Sequence, residues 1–182
     1  MELVIRDART EDAAALAHIQ VDSYRTAYAG ILPADYLANF TYEEQAQDWR
    51  DLLADPGSNI LLVAAGAGGE LLGYVLGRPG REQLPPYESE LAALHVRRSF
   101  HKQGVGRELV AAMAHRLEQA GCASLALTVL EQNPACAFYE RLGGRLVGRL
   151  EKPLGDDAAP FIAVERIYAW QDIRTSKEMM HR

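Results

Sequence analysis

Cysteine is scarce in this chain. Its 182 residues hold two, Cys122 and Cys136, too few for a disulfide framework and without the short paired spacing of a metal site. Basic residues do not dominate: 19 Lys and Arg stand against 25 Asp and Glu, a formal net charge of −6. A nucleic-acid binder usually shows the opposite balance on at least one face. No stretch approaches the ~20 apolar residues of a membrane span. No apolar run follows a basic segment near the N-terminus, as in a secretory leader. Internal repeats, low-complexity tracts and linkers are also missing. These absences leave a soluble cytoplasmic protein with no metal, no membrane and no nucleic-acid partner as the expectation.

What is present is ordinary globular composition, 48% hydrophobic and 24% charged residues. The length suits one domain with a full core and is short for two. The expected organisation is a single domain over residues 1–174, with a polar, frayed tail over 175–182.

Along the chain, Glu2–Asp7 reads as a strand. Thr10 is a candidate N-cap for a helix that places Ala13, Leu16, Ile19 (or Gln20) and Tyr24 near helical spacing. Gly30 ends it, Ala34–Phe40 is a short second segment, and Thr41 can cap a third helix through about Leu53. Asp55-Pro56-Gly57 is a strong stop. Asn59–Ala65 and Leu71–Arg78 read as a hairpin around Gly66-Ala67-Gly68-Gly69, followed by a loop over Pro79–Pro86. A helix from Gly104 to about Ala120 carries Val105, Leu109, Met113 and Leu117 in one stripe, and Gly121 stands where a helix C-terminus wants glycine. Ala123–Leu130, Arg145–Leu150 and Ala163–Trp170 are strands, Pro134–Leu142 a helix, and Pro153–Pro160 a loop. The order does not alternate as a doubly wound sheet requires. It predicts an α/β (α+β) fold, with helices flanking a mixed, mainly antiparallel sheet of about seven strands.

One stretch concentrates the chemistry, ELAALHVRRSFHKQGVGREL over Glu90–Leu109. A short apolar strand, Leu91–Val96, feeds a turn with Arg97, Arg98, His101 and Lys102, and Gly104-Val105-Gly106 opens the helix. A helix start leaves backbone N–H groups unpaired, and the aligned peptide dipoles add roughly half a positive charge there, so the turn can receive phosphate. A solvated surface turn would show the same residues.

Four segments in order resemble the GNAT-type N-acetyltransferases, over Leu3 to about Asp172. Glu90 to Val96 with Gly104-Val105-Gly106 resembles the family's acetyl-CoA motif, a strand followed by [QR]-x-x-G-x-[GA]. Asn133-Pro134, Phe138-Tyr139-Glu140 and Leu142-Gly143-Gly144 resemble its second cofactor motif. Ser23-Tyr24-Arg25, Tyr28, Gly30 to Pro33 and Tyr36-Leu37 resemble the acceptor-side helices of one subgroup, and Tyr168-Ala169-Trp170 with Asp172 its last strand. There are departures: His101 replaces the motif's Gln or Arg, Gln103 stands where a basic residue is common, and Lys102 where a glycine often is.

The resemblance implies acetyl transfer from acetyl-CoA to a primary amine, by direct attack in a ternary complex. It implies that His101, Lys102, Gln103, Gly104, Val105, Gly106 and Arg107 hold the pyrophosphate, mainly through backbone N–H groups. The backbone of Leu94, His95 and Val96 would polarise the thioester carbonyl where that strand parts from Ala126–Leu130, with the pantetheine arm in the gap. Asn133 would reach the pantetheine amides, or simply cap its helix. Tyr139 matches the general acid that protonates the leaving thiolate, or is a core aromatic beside Phe138. Glu90 would be the general base through water, with Glu88 sharing its face. His95, five residues from Glu90, points to the opposite face by strand parity. Cys136 lies among alanines with no local base, so a small buried side chain is expected rather than an acyl carrier. Tyr24, Tyr28 and Trp49 either line the acceptor pocket or belong to the core.

Two other classes remain open. One is a noncatalytic acyl-CoA-binding or regulatory module of the same fold. The other is a nicotinamide-dependent oxidoreductase, which Leu109 in place of the third glycine of G-x-G-x-x-G disfavours. The acceptor, a small molecule or a peptide amine, is unspecified, and a homodimer is open.

Overall fold

The computed structural model describes residues 3–80, 84–155 and 160–174. The expected tail at 175–182 therefore lies outside the described residues, as do 81–83 and 156–159 of the two expected loops. Seven strands are present: β1 (Leu3–Asp7), β2 (Ile60–Gly66), β3 (Leu71–Pro79), β4 (Ser89–Val96), β5 (Leu125–Leu130), β6 (Arg145–Leu154) and β7 (Phe161–Trp170). They form one sheet in the order β1-β2-β3-β4-β5-β7-β6. Every neighbouring pair is antiparallel except β4 and β5. The mixed, mainly antiparallel seven-stranded sheet is the expected one.

Helices cover both faces: α1 (Ala13–Ala27), α2 (Ala34–Ala38) and α3 (Tyr42–Ala54) on one, α4 (Val105–Gln119) and α5 (Cys136–Arg141) on the other. The α4 stripe is fully inside, with Val105 at 1% exposure and Leu109, Met113 and Leu117 at 0%. At roughly 1.5–3 kcal/mol for each large apolar side chain removed from water, this stripe accounts for most of what docks α4. Gly121 closes the helix by donating its N–H to Glu118 O (2.9 Å), while Cys122 donates to Leu117 O (3.0 Å), the paired bonds of a Schellman end. A second apolar cluster joins α1 and α3 to the other face through Leu16, Ile19, Trp49 and Tyr74. A third, smaller one places Leu32 and Leu37 over Leu130 and Ala163.

Several boundaries depart from expectation. Thr10 does not cap α1. A single 3-10 turn over Thr10–Asp12 precedes the helix, and Asp12 turns back to accept from Arg9 N (2.8 Å) and the Arg6 guanidinium (2.7 and 2.9 Å). The Arg6 bond and the Arg9 backbone bond hold the Asp12 carboxyl below its ordinary pKa. Thr41 does cap α3, accepting from Glu44 N at 3.2 Å. Strand β6 runs to Leu154, so it takes in Pro153, which sits opposite Ile162. Proline is tolerated there because β6 is the sheet edge and its missing N–H removes no second ladder. Helix α5 begins at Cys136, two residues after the proline that was expected to open it.

Candidate active site

Two irregularities in β4 shape the centre of the molecule. Along β3 the register skips Ala92: Leu76 faces Ala93, and Gly77 faces Leu91. Such a bulge puts two consecutive residues on one side. Ala92 and Ala93 both pack toward α1 and α3, while Leu91 and Leu94 both pack toward α4. Strand parity is inverted across the bulge. The expectation that Glu90 and His95 point to opposite faces is corrected: both face the side covered by α1 and α3. Glu90 pairs there with Arg78 (3.4 Å), whose Nε donates to Asn59 Oδ1 at 3.1 Å. Glu88 does not lie beside Glu90 on the strand. It precedes β4, and its carboxylate accepts from Ala123 N at 2.7 Å.

The second irregularity is the contact with β5. The two parallel strands share one register pair, Glu90 with Ala126. Beyond it they separate, so the edge of residues 91–96 that looks toward β5 has no ladder partner. The gap this leaves is bounded by β4, by β5, and by α5 at its far end.

At the mouth of the gap β4 passes into the glycine turn. Arg97 ties the strand exit to β3, donating from its backbone to Leu72 O (2.8 Å) and from Nε to Leu71 O (2.7 Å). The motif departures turn inward. His101 Nε2 lies 2.8 Å from Val96 O, and Gln103 Nε2 donates to Ser99 O at 2.8 Å. Both side chains brace the turn. Lys102 has φ of 60° and Gly104 has φ of 90°. That left-handed region explains why glycine suits either position. No acceptor among the described residues meets the backbone N–H groups of residues 102–107. Arg107 Nε is also buried without a hydrogen bond. Val105 is buried, while Gly106 lies against Phe138 and Val96. This is a cluster of unpaired donors at a helix start, the arrangement that receives a phosphate.

Asn133 Oδ1 accepts from Ala135 N at 2.9 Å, so it caps the turn before α5 and keeps its amide N–H groups for another partner. Tyr139 on α5 is 7% exposed, with ring centres 5.3 Å from Phe138 and 6.3 Å from Tyr168. Burial is the main cause that pushes its phenol pKa well up, so the hydroxyl keeps its proton at neutral pH. It makes no hydrogen bond among the described residues. Cys136 is buried in the core, and among the described residues its thiol hydrogen-bonds to the Leu130 and Glu131 carbonyls, at 3.6 and 3.8 Å.

On the α1 side of the gap lies a group that sequence reasoning found only in part. Tyr24 packs on Tyr28 (4.9 Å), Phe40 (4.5 Å) and His95 (5.6 Å), and Tyr74 reaches His95 at 5.3 Å. Enclosure between these rings pushes the His95 pKa down to about 4, so the imidazole is neutral at pH 7. Tyr74 is wholly buried, and its hydroxyl has no partner among the described residues. Tyr36 and Phe161 extend the cluster (5.2 Å). Trp49 belongs to the core instead, donating from Nε1 to Gln20 at 2.8 Å. The residues missed from sequence are Phe40, Tyr74 and, on β7, Phe161 and Glu165. The alternation of Ala163, Glu165 and Ile167 would have put a carboxylate on an apolar face, which was the available signal.

Among the described residues no group of three or more His, Cys, Asp or Glu could hold a metal. No helix of the described residues is long and apolar enough to cross a membrane.

Comparison with known proteins agrees with this layout. The model of the Acetyltransferase (GNAT) family matches residues 13–144. An uncharacterized N-acetyltransferase of Bacillus subtilis, YuaI, is 34% identical over 138 residues, 76% of this chain and 78% of that protein. Among solved structures, the PaiA N-acetyltransferase of Thermoplasma acidophilum in complex with coenzyme A superposes with a TM-score of 0.69 at 18% identity, covering 91% of this chain and 98% of that one. The ribosomal-protein-alanine N-acetyltransferase of Brucella melitensis gives 0.67 at 22%, covering 92% and 98%. YncA of Salmonella typhimurium with its cofactor acetyl-CoA gives 0.66 at 16%, covering 94% of each. At these identities the likeness is one of fold.

Proposed function

Because this chain belongs to the Acetyltransferase (GNAT) family, we propose that it transfers the acetyl group of acetyl-CoA to a primary amine by direct attack in a ternary complex. The observation that carries the reading is the gap between β4 and β5. Its mouth adjoins a cluster of unpaired backbone donors at residues 102–107, and its inner end is assigned to the unengaged hydroxyl of Tyr139. Solved relatives of the same fold hold coenzyme A or acetyl-CoA, and the donors present here suit a pyrophosphate.

Bound acetyl-CoA would supply an acyl thioester, activated toward an amine nucleophile. The chain's own groups do the rest. The N–H groups from Lys102 through Gly104, Val105, Gly106 and Arg107 take the pyrophosphate, with the Lys102 charge close by and His101 and Gln103 bracing the turn. The unladdered β4 edge at Leu94, His95 and Val96 pairs with the pantetheine arm and gives an N–H to the reacting carbonyl oxygen. The Asn133 amide meets the arm from the other wall. As the N–C bond forms and the C–S bond breaks, Tyr139 gives its proton to the departing sulfur. Glu90 accepts, through water, the proton that the attacking amine sheds. The Cys136 thiol plays no part, since no base adjoins it among the described residues.

The test is CoA release across a library of primary amines, with wild-type protein and Tyr139→Phe. The wild type should turn over, and the variant should lose about 100-fold or more in kcat while its acetyl-CoA affinity is kept. Tight acetyl-CoA binding with no CoA release for any amine would overturn the enzyme reading. Unchanged turnover in Tyr139→Phe would remove that residue as the acid.

A further inference from the structure

The aromatic cluster beside the gap contains one formal negative charge. Glu165 sits opposite Leu130 in the β5–β7 ladder, and paired residues share a face. Leu130 belongs to the apolar group under α2, with Leu32, Leu37 and Ala163, so Glu165 looks into the same space. It is half-buried and has no hydrogen bond or ion pair among the described residues. The neighbouring Arg166 points to the other side of the sheet, where its Nε holds Glu131 at 3.2 Å. The nearest imidazole in the cluster, His95, is neutral, and Lys152, which register opposite Ala163 places on the same face, makes no ion pair with Glu165 among the described residues.

The hydroxyls of Tyr24 and Tyr28 both lie within electrostatic reach of Glu165, and Tyr28 within reach of Tyr139 as well. Tyr28 thus stands near both Tyr139 and the carboxylate. Its other unsatisfied polar group, the buried Tyr74 hydroxyl, belongs to the same set of rings. A half-buried carboxylate without an ion pair is open to a cationic partner. Aromatic faces and one anion together favour a cation.

We propose that Glu165 anchors a second positive charge on the acceptor, so that the chain acetylates one amine of an aliphatic molecule bearing two cationic groups. This rests on the acetyltransferase reading above. The anchored charge is not the reacting one, because a carboxylate beside an amine holds it as ammonium, the form that cannot attack. Tyr28 and Tyr24 separate the two ends, offering ring faces to the connecting carbon chain. An acceptor with a carboxylate in place of the second cation would meet repulsion.

The experiment compares α,ω-diamines with n-alkylamines of equal length, and with amino acids, in wild type and Glu165→Gln. The wild type should favour the diamine by about 10-fold or more in kcat/KM, the usual worth of a charge-assisted bond. Glu165→Gln should abolish that preference through KM, leaving kcat for the monoamine unchanged. Raising the salt should shrink the wild-type preference, a readout that needs no variant to fold. Calorimetric titration of the diamine onto protein without a donor reports binding separately from turnover. Glu165-dependent diamine binding with no acetylation of any amine would sink the enzymatic reading and support the anchor. Acetylation with equal diamine and monoamine efficiency, or a preference that survives in Glu165→Gln, would sink the anchor alone.

Discussion

The two sides of the β4–β5 gap are built on different principles. The side at the glycine turn is made of backbone. Residues 102–107 present N–H groups, and the side chains of His101 and Gln103 are spent on holding the turn. The α1 side is made of side chains drawn from six places: Tyr24 and Tyr28, Phe40, Tyr74, His95, Phe161 and Glu165. Backbone recognition needs little of the side chains beyond permitted dihedrals, so one site can be kept while its residues vary. Side-chain recognition changes with every substitution, which suits the acceptor end of the proposed reaction.

That contrast can be broken from either side. The largest expected effect is on the side-chain half, through pH. His95 has its pKa pushed from 6.5 to about 4 in the fold. Between those values the unfolded chain binds a proton that the folded one refuses. Stability is therefore full above about pH 6.5 and falls as the pH drops toward 4, by at most roughly 3 kcal/mol at 1.36 kcal/mol per pH unit. Urea midpoints at pH 7 and pH 4.5 should differ clearly in the wild type and much less in His95→Phe. Equal pH sensitivity in both would show that the ring is not enclosed as described.

On the backbone half, Gly104→Ala and Gly106→Ala should separate dihedral strain from crowding. A Cβ at Gly104 would meet only Arg107 Nη2 at 3.7 Å, but its φ of 90° suits no other residue well. The expected cost is about 1–2 kcal/mol, with about 10-fold weaker acetyl-CoA binding by calorimetry. A Cβ at Gly106 would touch Phe138 at 3.4 Å, an ordinary contact, so that variant should stay near wild type. Comparable losses in the two would mean that the turn tolerates a different backbone shape. The smallest effect lies outside both halves. Thr41→Ala removes the α3 cap and should lower stability by about 1 kcal/mol, read by thermal unfolding, with acetyl-CoA affinity untouched.

Most of the backbone half was legible beforehand, because its signals are local. Gly104 marks a left-handed conformation, the α4 stripe follows from a period of 3.6, and outside that half Gly121 and Thr41 are read as easily, Thr41 standing three residues before the Glu44 N–H that it accepts from. The failures share a cause. Thr10 looked as good a cap as Thr41, but a 3-10 turn intervenes there, and the Asp12 carboxylate is held by the Arg6 guanidinium and the Arg9 N–H rather than by α1. Pro153 looked like a loop residue until β6 proved to be an edge strand. The parity argument for Glu90 and His95 was sound for a regular strand and failed at Ala92, where nothing in the run of apolar residues announces a bulge.

The order of elements, the turn at Gly104 and the family of the fold follow from the amino-acid string alone. Each depends on interactions within a few residues or on a spacing that the chain carries with it. The packed sheet alone decided that Glu90 and His95 share a face and that Glu165 joins tyrosines more than a hundred residues away. Register and face are settled between strands, by which neighbour a strand finds and where a bulge shifts its pairing, and no local run of residues encodes either.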